Sequence, residues 1–98
     1  LWRPLWPALL ASLAPGGTLI WETFSVDHAT VGRPSRPEFL LQHGELLTMC
    51  QDLRLIAYED GFASQPDRFI QRVVASRPPD WPTSTPPRHR LDPPDQAG

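Results

Sequence analysis

The chain has 98 residues, 40% of them hydrophobic, and a net charge of −2 from 9 basic residues, all Arg, against 11 Asp and Glu. That length allows one domain at most, and the charge leaves no footprint for nucleic acid or an anionic membrane surface. Cys50 is the single cysteine, which excludes an internal disulfide framework or a thiolate metal cluster and points to a reduced, cytoplasmic setting. No apolar run approaches the roughly 20 residues that span a bilayer. The start, "LWRPLWPALL", lacks the cationic leader of a signal peptide. It begins with Leu, not Met, so the chain is expected to be a piece of something longer, a mis-set reading frame or a processed product.

Residues 4–14 read as a helix. Pro4 and Pro7 fit a first turn, where a missing N–H costs nothing. Leu5, Leu9 and Leu13 share one face, beside Trp6 and Leu10. Gly16 and Gly17 can close that helix in the left-handed conformation. "TLIWETF", residues 18–24, follows at once. It is β-branched and aromatic with no period-2 alternation until Glu22, which predicts a strand covered on both faces. "SVDHATVGRPSR", residues 25–36, is loop. One helical turn is expected over 37–41.

"GELLTMCQ", residues 44–51, reads as a short helix with Leu46, Leu47 and Cys50 inward and Glu45 complementing its dipole. "LRLIAY", 53–58, alternates and is a strand; "FIQRVVA", 69–75, is another. The ten residues between them suit two antiparallel strands joined by a loose loop. From Arg77 onwards the chain holds 7 of its 13 prolines and almost nothing for a core. Residues 79–98 are expected to form a disordered, partly polyproline-II tail.

Helix, buried strand, long loop, helix, strand, strand is a βα unit of an α/β sheet with an antiparallel edge added. With these residues, it resembles the C-terminal half of a class I S-adenosylmethionine-dependent methyltransferase, most closely the tellurite-resistance-type branch. Three stretches carry the resemblance and a fourth fits it, over residues 1–78. "LWRPLWPALLASLAPGG" looks like the helix before strand five, and "TLIWETF" like strand five itself. "RPEFLLQHGELLTMCQDLRLIAYEDG" looks like the family's helix running into strand six, and "FIQRVVASRP" fits strand seven. The resemblance implies a Rossmann-like sheet in the order 3-2-1-4-5-7-6, with strand seven antiparallel. Only strands five, six and seven, with two helices, fall within this chain. The family's Gly-rich cofactor loop and its acidic ribose ligand belong to the other half, and no G-x-G occurs here. Where the family often has His before "R-P", this chain has Trp2.

Ligands of open α/β sheets bind beyond the carboxyl ends of the strands. Methyl transfer needs the nucleophile in line with the sulfonium methyl in a water-poor pocket, with a carboxylate or imidazole able to take a proton. Glu22 and His28 are the catalytic candidates. Thr23, Phe24 and Arg33 are candidates for binding the acceptor, a small molecule, and Arg33 with Arg36 could recognise an anionic one. Leu1, Trp2 and Arg3 would follow strand four and flank S-adenosylmethionine. Asp27 reads as a turn residue, and His43 and Glu45 match no metal-ligand spacing. The resemblance thus implies a methyltransferase fragment, inactive alone because the cofactor half is absent. The alternative is a small non-catalytic interaction module that uses an exposed strand edge or the Pro-rich tail.

Overall fold

The computed structural model describes residues 3–92. A 3₁₀ turn over Arg3–Leu5 runs into helix α1, Trp6–Ala11. Strand β1 is Thr18–Phe24, and a 3₁₀ helix over Val26–Thr30 follows it directly. A further 3₁₀ turn, Pro37–Phe39, precedes helix α2, Glu45–Met49. Strands β2, Arg54–Ala63, and β3, Arg68–Ser76, complete the fold. The described part of the Pro-rich tail, residues 77–92, carries no helix or strand.

The three strands form one sheet in the order β1-β3-β2, and β3 is antiparallel to both neighbours. β1 and β2 therefore point the same way, and their carboxyl ends lie at one edge of the sheet. The chain is a small α/β unit. Both helices cover one face, around Trp6, Leu19, Leu41, Leu46, Cys50, Val73 and Ala75. Trp6 meets Trp21 edge-on at 5.9 Å and donates its indole N–H to the Met49 carbonyl at 3.0 Å. This ties α1 to the end of α2, so the two short helices stabilise each other through the core rather than through their own length.

Among the described residues, no helix covers the other face of the sheet. Ile20 is 76% exposed there. Strand β1 was expected to be covered on both faces; instead Leu19 is buried while Ile20 and Glu22 face outward. A continuous apolar run meets the two-residue alternation of a strand, and these residues supply cover for one face only.

Four smaller expectations also change. The 3₁₀ start of the first helix leaves Leu5 outward, 56% exposed, and turns Trp6 inward. Leu47 lies outward on α2, which has too few residues to bury two adjacent positions. On β2 the register slips between Leu55 and Ala57, so Ile56 is the extra residue of a bulge. The bulge breaks the alternation, so Tyr58 shares the face of Val73 and Ala75 with Leu55 and packs on the core, while Leu55 stays 44% exposed. The β2–β3 connection is also shorter than the sequence suggests, four residues between Ala63 and Arg68.

Gly16 has φ +77°, the left-handed value required by the turn that Gly17 N–H closes on the Ala14 carbonyl; the first helix has already ended at Ala11, short of the glycines expected to close it. Gly17 is needed for a different reason. A Cβ there would lie 2.8 Å from the Ala14 carbonyl oxygen. Beyond β1, Leu41 N–H donates to the Phe24 carbonyl, and Val26 N–H donates to the Leu41 carbonyl. Ser25 N–H donates to Phe69 on β3, so Leu41 sits on the opposite, outer side of β1.

Candidate functional site at the carboxyl edge of the sheet

The carboxyl ends of β1 and β2 gather most of the chain's polar chemistry. Gln71 on the central strand is fully buried. Its Oε1 accepts from Leu46 N–H at 3.2 Å and from the Tyr58 hydroxyl at 2.9 Å, and its Nε2 donates to the Gln42 carbonyl at 2.7 Å. One amide thus satisfies an orphan donor of the first turn of α2 and fixes the chain entering it.

His43 bridges two carboxylates above that network. Its Nδ1 faces Asp60 at 3.2 Å and its Nε2 faces Asp27 at 3.0 Å. Asp60 also accepts from Gly44 N–H at 3.2 Å. A neutral imidazole has one N–H and can satisfy only one of these carboxylates, whereas the imidazolium satisfies both. The Asp60 hydrogen bond and charge, with a smaller contribution from Asp27, hold the His43 pKa above the ordinary histidine range. The Tyr58 hydroxyl is pushed up as well, first by burial and then by the Asp60 charge.

A raised folded-state pKa at His43 gives stabilisation that is fully present below the unfolded value near 6.5 and lost as pH rises through the folded value. NMR titration of the His43 ring should give a midpoint above about 6.5, and Asp60→Asn should lower it more than Asp27→Asn. A midpoint at or below the ordinary value in the unmodified chain contradicts the bridge.

The residues singled out from sequence occupy different places. His28 is buried, 5% exposed. Its Nδ1 accepts from Phe69 N–H at 3.3 Å, and its Nε2 lies 3.1 Å from the Arg33 carbonyl. A backbone N–H can only donate and a carbonyl can only accept, so the ring is the neutral Nε2–H tautomer. Both nitrogens are committed to backbone, and the ring lies 4.2 Å from that of Phe24. His28 here anchors the loop after β1, with no lone pair left for a substrate proton. Glu22 stands on the open face, where Arg72 Nε meets it at 3.2 Å and Arg72 also reaches Glu59 at 3.6 Å. No hydrogen bond joins Glu22 to His28 among the described residues.

Thr23 lies opposite Gln71 on the helix-covered face. Phe24, His28 and Arg33 line a cleft of about 250 Å³ with Pro66 and Arg68. Arg3 pairs with Glu45 through two nitrogens and donates to the Leu40 and Glu38 carbonyls at 2.8 and 3.0 Å. It holds the first turn of the chain against α2, and this pairing keeps the Glu45 carboxyl below the usual carboxylate range. Leu1 and Trp2 lie outside the described residues.

The geometry therefore brings Asp27, His43, Tyr58 and Asp60 together, a set that sequence order scatters. The signal available was positional only: Asp27 falls just beyond β1, His43 just before α2, and Tyr58 and Asp60 within the latter part of β2. Among the described residues, no group of three or more His, Cys, Asp or Glu is placed to hold a metal ion, and no helix is long and apolar enough to cross a membrane. Comparison of the chain with protein-family models, curated proteins and solved structures gives no match.

Proposed function

We propose that these residues are the C-terminal portion of a cytoplasmic class I S-adenosylmethionine-dependent methyltransferase domain, acting on a small-molecule acceptor. The observation that carries this reading is the strand order. Strands read as five, six and seven would lie in the order five, seven, six with seven antiparallel, and the sheet has β1-β3-β2 with β3 antiparallel. The open face and the outer edge of β1 over Thr18–Glu22, unpaired among the described residues, agree with it, because both are surfaces that a larger α/β sheet covers.

The residues present do not form a cofactor site by themselves. Arg3, the one described residue that could flank S-adenosylmethionine, has its guanidinium committed to Glu45 and two carbonyls. The chain also lacks the G-x-G turn that lets backbone approach a nucleotide. S-Adenosylmethionine would supply the methyl group from residues outside these 98. What this part provides is the acceptor side: the loop after β1, held in place by His28, and the His43 bridge beside it.

Calorimetry of the 98-residue chain with S-adenosylmethionine should detect no binding; micromolar affinity overturns the division of labour. The family reading is tested separately, on the coding sequence directly upstream of Leu1. A strand, a Gly-rich turn and a helix are expected there, with an acidic residue about 20 positions further on. Their absence in all frames contradicts the reading.

One observation favours a second reading, the non-catalytic interaction module. Ile20 and the outer edge of β1 are available to a partner strand. A monodisperse, cooperatively unfolding 98-residue product would support it, and an aggregating product would support the methyltransferase reading.

A further inference from the structure

We propose that the loop after β1 forms a binding site for a small organic oxyanion, with Arg33 and Arg36 as its two cationic walls. The two arginines line one cleft of about 370 Å³, together with Pro34, Ser35 and Phe39. That volume suits a small ligand.

Both arginines are available. Arg3, Arg68, Arg72 and Arg77 each bind a carboxylate or a carbonyl. Arg33 and Arg36 have no ion pair and no side-chain hydrogen bond among the described residues. Two like charges lining one cleft with no counter-charge gain from an incoming anion, and the planar guanidinium fork suits carboxylate or phosphate oxygens. Ser35 adds a hydroxyl, and Pro34 offers apolar surface to the body of the ligand.

The loop is also pre-organised. In "RPSRP" each arginine precedes a proline, which keeps its backbone out of the helical region. Arg36 is extended, with φ −76° and ψ 132°. His28 holds the Arg33 carbonyl at one end. At the other, Phe39 N–H donates to the Arg36 carbonyl, and Arg3 holds the carbonyls of Glu38 and Leu40. Little backbone freedom remains to be lost on binding. The cleft follows the carboxyl end of β1, where open α/β sheets take their ligands. Identifying this ligand as the methyl acceptor rests on the reading above; the binding itself does not.

The test is an NMR titration of the 98-residue chain with phenyl phosphate, without S-adenosylmethionine. Saturable shifts are expected at the amides of Arg33, Ser35, Arg36, Glu38 and Phe39. Arg33→Gln and Arg36→Gln should each weaken binding about tenfold, the effect of one charge-assisted contact. Both side chains are exposed, and His28 holds a backbone carbonyl that Gln retains, so these variants should keep the fold. Inorganic phosphate should bind several-fold more weakly than phenyl phosphate, and a tail variant with Arg88→Gln and Arg90→Gln should bind like the unmodified chain. Absence of saturation, unchanged affinity in Arg33→Gln and Arg36→Gln, or an equal loss in the tail variant overturns the site. Equal affinity for the two phosphates overturns the organic class of the ligand.

Discussion

Gln71→Leu should lower the unfolding free energy by about 2–4 kcal/mol, read as a fall in the urea midpoint at constant slope. The replacement is similar in size and more apolar, so burial alone predicts little change. The cost comes from the groups left behind. Leu46 N–H and the Gln42 carbonyl each lose their amide partner, and the Tyr58 hydroxyl loses its shorter contact. A buried polar group with no partner costs about 1–3 kcal/mol, whereas the net gain from making one such bond is nearer 1. Tyr58→Phe removes one of the three contacts together with its donor and should cost less, about 0.5–1.5 kcal/mol. If Gln71→Leu matches the unmodified chain, the amide network contributes nothing to stability.

The second large effect is expected from Leu41→Ala. Leu41 is fully buried in the core cluster, and its backbone lies alongside the end of β1 through the bonds to Phe24 and Val26. Removing three buried carbons from such a site costs about 2–5 kcal/mol, according to how far the cavity collapses. Small domains have little reserve, so this change alone should bring the chain close to unfolding at 25 °C. Leu47→Ala on the neighbouring helix is the control. Leu47 is 40% exposed, so its loss should be small. Hydrogen exchange at Val26 should accelerate in Leu41→Ala, because the carbonyl it donates to is held by that packing. Similar losses in Leu41→Ala and Leu47→Ala would show that the core is not centred where the burial pattern puts it.

Much of the framework was legible because it is written in local pattern. β1 is bounded by the paired glycines and a loop, and its limits match the sequence reading. β3 extends one residue at each end, and the antiparallel pairing of the last two strands follows from their closeness in the chain. What was hidden depends on pairs far apart in sequence. The bulge at Ile56 inverts a clean alternation, and nothing in "LRLIAY" marks it. Gln71 reads as a polar interruption in an apolar strand until the start of α2 is placed beside it. His28 was a reasonable catalytic candidate by residue type. Its actual partners are Phe69 N–H, 41 positions away, and a carbonyl five positions on. His43 carries the ionisable chemistry of that edge because Asp27 and Asp60, 16 and 17 residues away on opposite sides, converge on it.

The position of Leu41 also limits how the sheet could grow. Along β1 the odd-numbered residues from Leu19 to Ser25 direct their backbone groups at β3, and the even-numbered ones direct theirs outward. The last outward carbonyl, on Phe24, already belongs to Leu41. A strand added to this edge is therefore halted beyond Glu22 and can use both backbone groups only of Thr18, Ile20 and Glu22. So short a docking ladder limits the number of backbone bonds that an incoming strand can make. It also gives any incoming strand a fixed stop, so that a one-residue slip carries its leading end into Leu41 rather than into open solvent.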